Sequence, residues 1–339
     1  MRIGVFCSGG DAPGMNACVR AVVRAACAEG HEVVGIQRGY GGLLNEDFYL
    51  NRRGEFRLTP TCVHGWSGLG GAVLRSSRST VFPTPEGMQR AVEVLEKHKI
   101  DALIPIGGDG TSRGAVELAK HWSGQIIGCP GTIDNDLRGT DYTIGFSTAV
   151  QTAVEAVDKL RDTASSHERM FLVEVMGRHS GYIAAYTALA CGAEVAAIPE
   201  TPTDVEAIVA YLGDLKAAGR ESAIMIVAEG DERGGAEILN RELIEANCPF
   251  STRIVVLGHL QRGGVPTPED RRRATQMGYG AVQAIVAGQT GMMTGTHNDQ
   301  CLWTPFEECY AEHRTIPDHI LRLLDAMWNA GQPHHTPHN

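Results

Sequence analysis

No run of about 20 apolar residues occurs anywhere in the chain, so a membrane-spanning helix is not expected. The opening Met1-Arg2-Ile3-Gly4-Val5-Phe6 passes straight into a strand-like run, without the longer apolar region and cleavage site of a secretion signal. No two cysteines form a Cys-x-x-Cys pair. The nine are scattered, and Cys7, Cys129 and Cys191 lie in apolar or glycine-rich segments, as small buried residues of a reducing compartment do. The expected location is therefore cytoplasmic. Positive charge is not in excess: the formal net charge is −10, which argues against general nucleic-acid binding. Anionic small molecules stay open as ligands, because arginines grouped in one cleft reverse the field locally. Such groups occur at Arg75/Arg78, Arg161/Arg169, Arg253/Arg262 and Arg271–Arg273. No repeat of solenoid period is visible.

What the chain has in quantity is glycine, 41 residues of it, which fits many tight turns between strands and helices. Its 339 residues exceed most single cores and predict two lobes. Strand-like runs at 2–7, 31–36, 101–106, 170–175, 195–198, 223–228 and 253–257 alternate with helical patterns. Those patterns fall at about 15–29, 85–97, 112–120, 148–163, 182–190, 204–218, 239–246 and 268–287. This alternation predicts α/β lobes with mainly parallel sheets. The segment 38–78 is irregular, with a strand-like piece over 70–78 that ends in two arginines. The tail with three histidines, 331–339 at its widest, reads as disordered.

Three turns at predicted strand ends stand out. Ser8-Gly9-Gly10-Asp11-Ala12-Pro13-Gly14-Met15-Asn16 joins a strand to a helix and leaves backbone N–H groups for a phosphate. Gly107-Gly108-Asp109-Gly110-Thr111 repeats that arrangement with an acid in the middle, suited to a magnesium ion that bridges phosphates. The third stretch, Cys129 to Gly145, has Pro130 and Gly131 expected to stop the strand, then Asp134, Asp136 and Asp141 within eight positions. A carboxylate there can take a proton from a substrate hydroxyl or help hold a metal. By itself the stretch reads equally well as a turn rich in Asp and Asn. Two phosphate cradles beside it tip the balance towards chemistry.

Together with Val175-Met176-Gly177-Arg178 and Gly258-His259-Leu260-Gln261-Arg262-Gly263-Gly264, these motifs resemble the 6-phosphofructokinase family, in family order from Ile3 to about Ala287. The Pro-Gly-Thr-Ile-Asp-Asn-Asp and Gly-His-x-Gln-Arg-Gly-Gly motifs are specific, whereas Gly-Gly-Asp-Gly-Thr is shared with NAD kinases and diacylglycerol kinases. The resemblance implies two three-layer α/β/α lobes. Residues 1–145 with about 260–310 would bind nucleotide, and 146–259 with about 311–330 would bind sugar phosphate. It implies ATP-dependent phosphorylation of fructose 6-phosphate at the C1 hydroxyl. Asp134 would be the general base, supported by Thr132 and Asp136, and Arg178 would stabilise the transferring group. Gly10, Arg78, Ser79, Gly107, Gly108, Gly110 and Thr111 would hold ATP, and Asp109 would hold Mg2+. The sugar phosphate would meet Ile133, Met176, Gly177, Glu229, Leu260 and Gln261. Its 6-phosphate would meet Arg169, Arg253, His259 and Arg262. Arg169 and Arg253 would come from a neighbouring subunit, which implies a homo-oligomer, most often a tetramer.

Relatives that use pyrophosphate commonly carry Asp at position 110 and Lys at 131. Here both are glycine, which leaves room for the nucleotide α-phosphate and favours ATP. The bacterial branch also implies an effector site for ADP or phosphoenolpyruvate, matched here by Arg20, Arg24, Arg161, Glu194 and Arg220. The lysines expected at 218, 220 and 221 are Ala, Arg and Glu, so the expected effector response is weakened or altered. A pyrophosphate-dependent enzyme of the same fold and a non-catalytic sugar-phosphate sensor are the alternatives. Retention of Asp109, Asp134 and Arg178 together counts against the sensor.

Overall fold

A computed structural model describes residues 1–328; the tail at 331–339 lies outside them. The chain divides into two compact units, Met1–Thr148 with Arg262–Arg314, and Ala149–Gln261 with the residues from Thr315 on. Among the described residues no helix is long and apolar enough to cross a membrane.

In chain order the first unit holds β1 (Arg2–Cys7), α1 (Met15–Ala28), β2 (Glu32–Gly35), α2 (Gly39–Leu44), α3 (Pro85–Lys97), β3 (Ala102–Gly107), α4 (Asp109–Ala119), β4 (Gln125–Thr132) and β5 (Ile144–Gly145). Helix α5 (Phe146–His167) leads out of it. The second unit follows with β6 (Arg169–Val175), α6 (Tyr182–Cys191), β7 (Val195–Ala197), α7 (Val205–Ala217), β8 (Ala223–Ala228), α8 (Gly235–Glu245) and β9 (Ser251–Val256). The chain then returns to the first unit as α9 (Pro268–Val286), β10 (Met292–His297), β11 (Gln300–Pro305) and α10 (Phe306–Tyr310), and ends in the second as α11 (Asp318–Trp328).

Local chemistry explains the clearest elements. Helix α3 starts where Thr84 accepts a hydrogen bond from Gly87 N with Pro85 at its first position, and Lys97 sits in its last turn. Strand β3 is buried along its whole length and β1 after its first residue, as continuous apolar runs in a sheet covered on both faces should be. The seven-stranded sheet has the order β11-β10-β4-β3-β1-β2, with β5 pairing β4. Every pairing in it is parallel except the β10–β11 hairpin. Phe6, Ile36, Leu43, Leu95 and Leu103 lie at the centre of one of its cores. The second unit's sheet, β7-β8-β6-β9, is all parallel over a core of Met170, Leu172, Met225, Val227 and Leu239.

Because β1, β3 and β4 are parallel neighbours, the loops that leave Cys7, Gly107 and Thr132 rise from one sheet edge. That carboxyl edge is where open α/β sheets carry their ligands.

Three local expectations are corrected. Pro130 and Gly131 do not stop the strand: β4 runs through them, because Gly107 pairs with Pro130 and β5 pairs with Gly131 and Thr132. The helix after β3 begins at Asp109 rather than 112, which puts the acid in its first turn. The piece at 70–78 is not a strand, since its main chain bonds to the first glycine turn and to Arg38 instead of to a ladder. The hairpin β10–β11 and the helices α2, α10 and α11 were not anticipated.

Candidate active site

In the first unit the glycine turn after β1 is anchored by Ser8 N on Ile106 O at 2.9 Å and by Gly9 N on Ser77 O at 3.2 Å. Gly9 needs its positive φ of 86°. Gly10 needs its missing side chain, because a Cβ there would lie 2.6 Å from Arg262 Nη1. That same Nη1 donates to Asp11 O at 3.1 Å, so Arg262 of the last motif is held on the first.

Beside it, Gly107 is fixed by close packing: a Cβ would meet Thr111 Oγ1 at 2.3 Å and Ser8 O at 2.5 Å. Thr111 Oγ1 donates to Ser8 O at 3.3 Å, and Tyr40 OH donates to Thr111 O at 2.9 Å. A Cβ on Gly108 would just touch Thr132, while one on Gly110 would meet nothing within 4 Å. Asp109 takes hydrogen bonds at 3.0 Å on both carboxylate oxygens from Arg113 Nε, one turn along α4. Arg78 is exposed, and Ser79 Oγ accepts from Phe82 N at 3.1 Å. A cavity of about 540 Å³ opens beside Ser79, bounded by Gly41, Leu44, Asn45, Val81 and Arg90.

The loop after β4 is closed on itself. Asp134 is 5% exposed, and its N–H donates to Thr132 Oγ1 at 3.2 Å. Asn135, fully buried with φ 53°, accepts from Thr143 N at 2.8 Å, and Thr143 Oγ1 donates to Thr132 O at 2.6 Å. Ile133 is buried between them in sequence. Burial pushes the Asp136 carboxyl above the ordinary range, against the pull of His313, whose Nδ1 lies 3.2 Å from Oδ2; the charge on Asp109 pushes it further up.

In the second unit β6 and β8 end in the turn Met176–Arg178 and in Glu229. Glu229 Oε1 accepts from Gly177 N at 3.2 Å and Arg178 N at 2.8 Å, and Gln261 Oε1 accepts from Met176 N at 3.3 Å. These bonds hold Gly177 at φ 144° and Arg178 at φ 54°, a conformation that non-glycine residues persist in only when their surroundings over-determine it. His259 and Leu260 are exposed on the short turn Gly258–Arg262, and Gln261 is buried.

The two remaining arginines are not at this edge. Arg169 opens β6 at its amino end, six residues before Val175, roughly 20 Å along an extended strand. Arg253 lies midway along β9, paired with Phe171, and donates to Thr252 O at 2.7 Å. Of the proposed effector residues, Arg161 and Arg220 both face the buried Glu194, at 3.7 and 3.9 Å. Glu194 Oε2 also accepts from Ile224 N at 2.7 Å. Arg20 and Arg24 lie on α1 of the first unit.

Sequence reasoning assigned no role to Arg113, Asn135, Asp270 or Asn16. The buried Asp270, in the first turn of α9, accepts from Gly145 N at 3.0 Å and from Thr148 N at 2.7 Å, closing the downstream end of the Asp134 loop. Its partners are 125 and 122 residues away, so no local pattern announces it. Burial raises its carboxyl above the ordinary range. Arg113 had a signal, the i,i+4 spacing from Asp109.

The phosphofructokinase family model matches residues 2–285. The chain is 48% identical to ATP-dependent 6-phosphofructokinase 1 of Thermus thermophilus over 96% of this chain and 99% of that protein. It is 42% identical to ATP-dependent 6-phosphofructokinase of Cytophaga hutchinsonii, over 96% and 97% respectively. Among solved structures, phosphofructokinase of Saccharomyces cerevisiae superimposes with a TM-score of 0.83 at 33% identity over 97% of this chain. This chain spans 47% of the yeast chain. A pyrophosphate-dependent phosphofructokinase of Marinobacter aquaeolei shares the fold, with a TM-score of 0.80 at 23% identity over 94% of this chain and 86% of that one.

Proposed function

This chain belongs to the phosphofructokinase family, and on that premise we propose that it transfers the γ-phosphoryl group of ATP to the C1 hydroxyl of fructose 6-phosphate, giving fructose 1,6-bisphosphate and ADP. One observation carries the reading. Three parallel strand ends set two main-chain phosphate turns, Asp109 and Asp134 along a single sheet edge. Phosphoryl transfer is chiefly positioning and charge neutralisation, and this edge offers both.

Gly10, Gly107, Gly108, Gly110 and Thr111 present main-chain N–H groups to the nucleotide, with Arg78 and Ser79 beside them. Asp134 takes the proton from the C1 hydroxyl, held in place by Thr132 and by the loop of Ile133 and Asp136. Arg178 stabilises charge on the transferring group. Met176, Gly177, Leu260 and Gln261 frame the sugar, Glu229 accepts from its hydroxyls, and Arg169, Arg253, His259 and Arg262 bind its 6-phosphate.

The residues present fit Mg2+. Asp109, in the first turn of α4 at the strand end, would hold the ion, since one or two carboxylates with phosphate oxygens and waters are what it takes. When bound it supplies charge neutralisation on the phosphates. Before that, Arg113 neutralises Asp109 and must release it.

ATP is favoured as donor over pyrophosphate by the relatives above 40% identity and by Gly110 and Gly131. The distance of Arg169 and Arg253 from the Arg178 turn supports their serving a neighbouring copy, hence a homo-oligomer, proposed as a tetramer. The pairing of Arg161 and Arg220 with Glu194 supports an effector site with weakened response to ADP or phosphoenolpyruvate. Nine free thiols accord with a reducing, cytoplasmic setting.

A coupled assay with fructose 6-phosphate and Mg2+, supplied with either ATP or pyrophosphate, tests the reading. Turnover with ATP and little with pyrophosphate is expected; the reverse overturns the donor assignment, and no turnover with either overturns the activity.

A further inference from the structure

The loop at 69–79 carries Arg78, proposed above as a nucleotide ligand, and belongs to no helix or sheet. Something else must hold it. Asn16, the second residue of α1, is 1% exposed, and its side chain is directed wholly at this loop. Its Nδ2 lies 3.0, 3.2 and 2.9 Å from the carbonyl oxygens of Leu69, Gly70 and Gly71, and its Oδ1 accepts from Val73 N at 2.7 Å. An amide brings two N–H donors and one acceptor to the same point, so it satisfies both kinds of main-chain group in one turn. Aspartate offers acceptors alone and would set a carboxylate against three carbonyl oxygens.

Past Val73 the loop is tied at further points to the first glycine turn and to Arg38. Leu74 O accepts from Arg38 N at 2.9 Å, and Ser76 Oγ donates to Gly9 O at 2.7 Å. Gly9 N donates to Ser77 O at 3.2 Å, and Ser77 Oγ donates to Arg38 O at 2.7 Å. Arg78 follows immediately. On the other side, a Cβ at Gly70 would meet Gly264 O at 2.2 Å, so the loop is also confined by packing. The glycine turn, the loop and the start of α1 thus form one bonded piece, with Asn16 at its root.

We propose that Asn16 is a positioning residue that sets nucleotide affinity by holding the 69–79 loop, and with it Arg78, in register with the Ser8–Gly10 phosphate turn. The proposal rests on the reading of that turn and of Arg78 as nucleotide ligands. An arginine held in place before binding loses less freedom when it meets a phosphate than one on a free loop. Freeing the loop therefore weakens the ATP complex while leaving proton abstraction and sugar binding alone.

The test compares Asn16→Asp and Ser76→Ala with wild type. For each, ATP binding is measured by calorimetry, KM is measured for both substrates, and amide exchange is followed over residues 69–79. Asn16→Asp keeps the acceptor for Val73 N and removes both donors. Expected are a rise of about tenfold in Kd and KM for ATP, the scale of one or two lost hydrogen bonds, with KM for fructose 6-phosphate and kcat within twofold. Faster exchange over 69–79 is expected as well. Ser76→Ala should shift the same quantities in the same direction, by less. Native ATP affinity in a folded Asn16→Asp protein overturns the proposal, as does an equal rise in both KM values, which is what a merely structural role produces. Should Asn16→Asp not fold, unchanged ATP affinity in Ser76→Ala overturns it. A wild type that binds ATP but does not phosphorylate fructose 6-phosphate overturns the proposed activity and leaves the binding comparison to decide Asn16.

Discussion

In the first unit the loop leaving β1 is bonded to its neighbours mostly through main chain, Ser8 N to Ile106 O of β3 and Gly9 N to Ser77 O of the 69–79 loop, with Thr111 Oγ1 donating to Ser8 O. In the second unit the turn after β6 is held by two side chains, Glu229 and Gln261, while the basic residues are spread from the amino end of β6 to the carboxyl edge. The contrast is between recognition written in space and recognition written in charge. Glycines make the first surface, so what is allowed there is decided by volume. Arginines and a glutamate make the second, so what binds there is decided by side chains that substitution can retune one at a time.

The sharpest break of that contrast is at Asp134, the general base proposed for the first unit. Asp134→Asn should lower kcat on the order of 10²–10⁴-fold, the scale of a lost general base, with ATP affinity kept. A near-normal rate in the coupled assay would sink its role. Next is Arg253→Ala on the second unit's strand β9. It should raise KM for fructose 6-phosphate roughly 10- to 100-fold, the scale of a charge-assisted hydrogen bond, and leave KM for ATP alone. A shift in both constants would erase the division of labour.

A smaller effect tests volume directly. Gly110 has open space around it, so Gly110→Asp should keep its melting temperature. Its KM for ATP should rise about tenfold, since like charges about 4 Å apart cost ~1–4 kcal/mol between water-like and surface-like screening. Gly131→Lys should instead lower the melting temperature, because a Cβ there meets Met15 Cε at 2.8 Å and Ile106 Cγ2 at 3.1 Å. Equal melting temperatures for the two variants would contradict the packing.

The smallest effect lies away from both sites. Hydrogen bonds from Lys97 and His98 hold the Glu46 carboxyl at about 2, below its ordinary 4.5. A depressed carboxylate stabilises fully above the ordinary value, and that stabilisation is lost as pH falls towards the depressed one. Glu46→Gln should therefore melt earlier than wild type at pH 6, with the gap narrowing from pH 4.5 down to 2. A gap that stays constant would remove the ionic contribution.

The parts legible in sequence were those whose cause is local. Pro85 announces α3, and the glycine runs at 9–10 and 107–108 announce their turns, because a proline ring or a missing Cβ acts on its own residue. Where the hairpin β10–β11 joins the sheet was invisible, since Met292 pairs with Ile127, far away in sequence. The same holds for Pro130, which reads as a strand breaker until Gly107 is seen beside it. At the candidate site, Asp109 and Asp134 could be read from spacing. The residues that hold the loops beside them, Asn16 for 69–79 and Asp270 for the downstream end of the Asp134 loop, could not, as each acts on main chain 53 or more residues away.

The return of the chain to the first unit at Arg262 has an outcome during synthesis. Helix α9 packs against α1, and β10 with β11 completes a sheet whose strands β1 to β5 were made well over a hundred residues earlier. The sheet β6–β9 is finished by Val256 and can close while the ribosome is still working. The amino-terminal part must wait, with one flank of β4 bare, until residue 305 has emerged. The later-encoded sheet is thus the earlier one to mature, and a chain stopped at Thr148 would lack the helix and strands that shield its own interior.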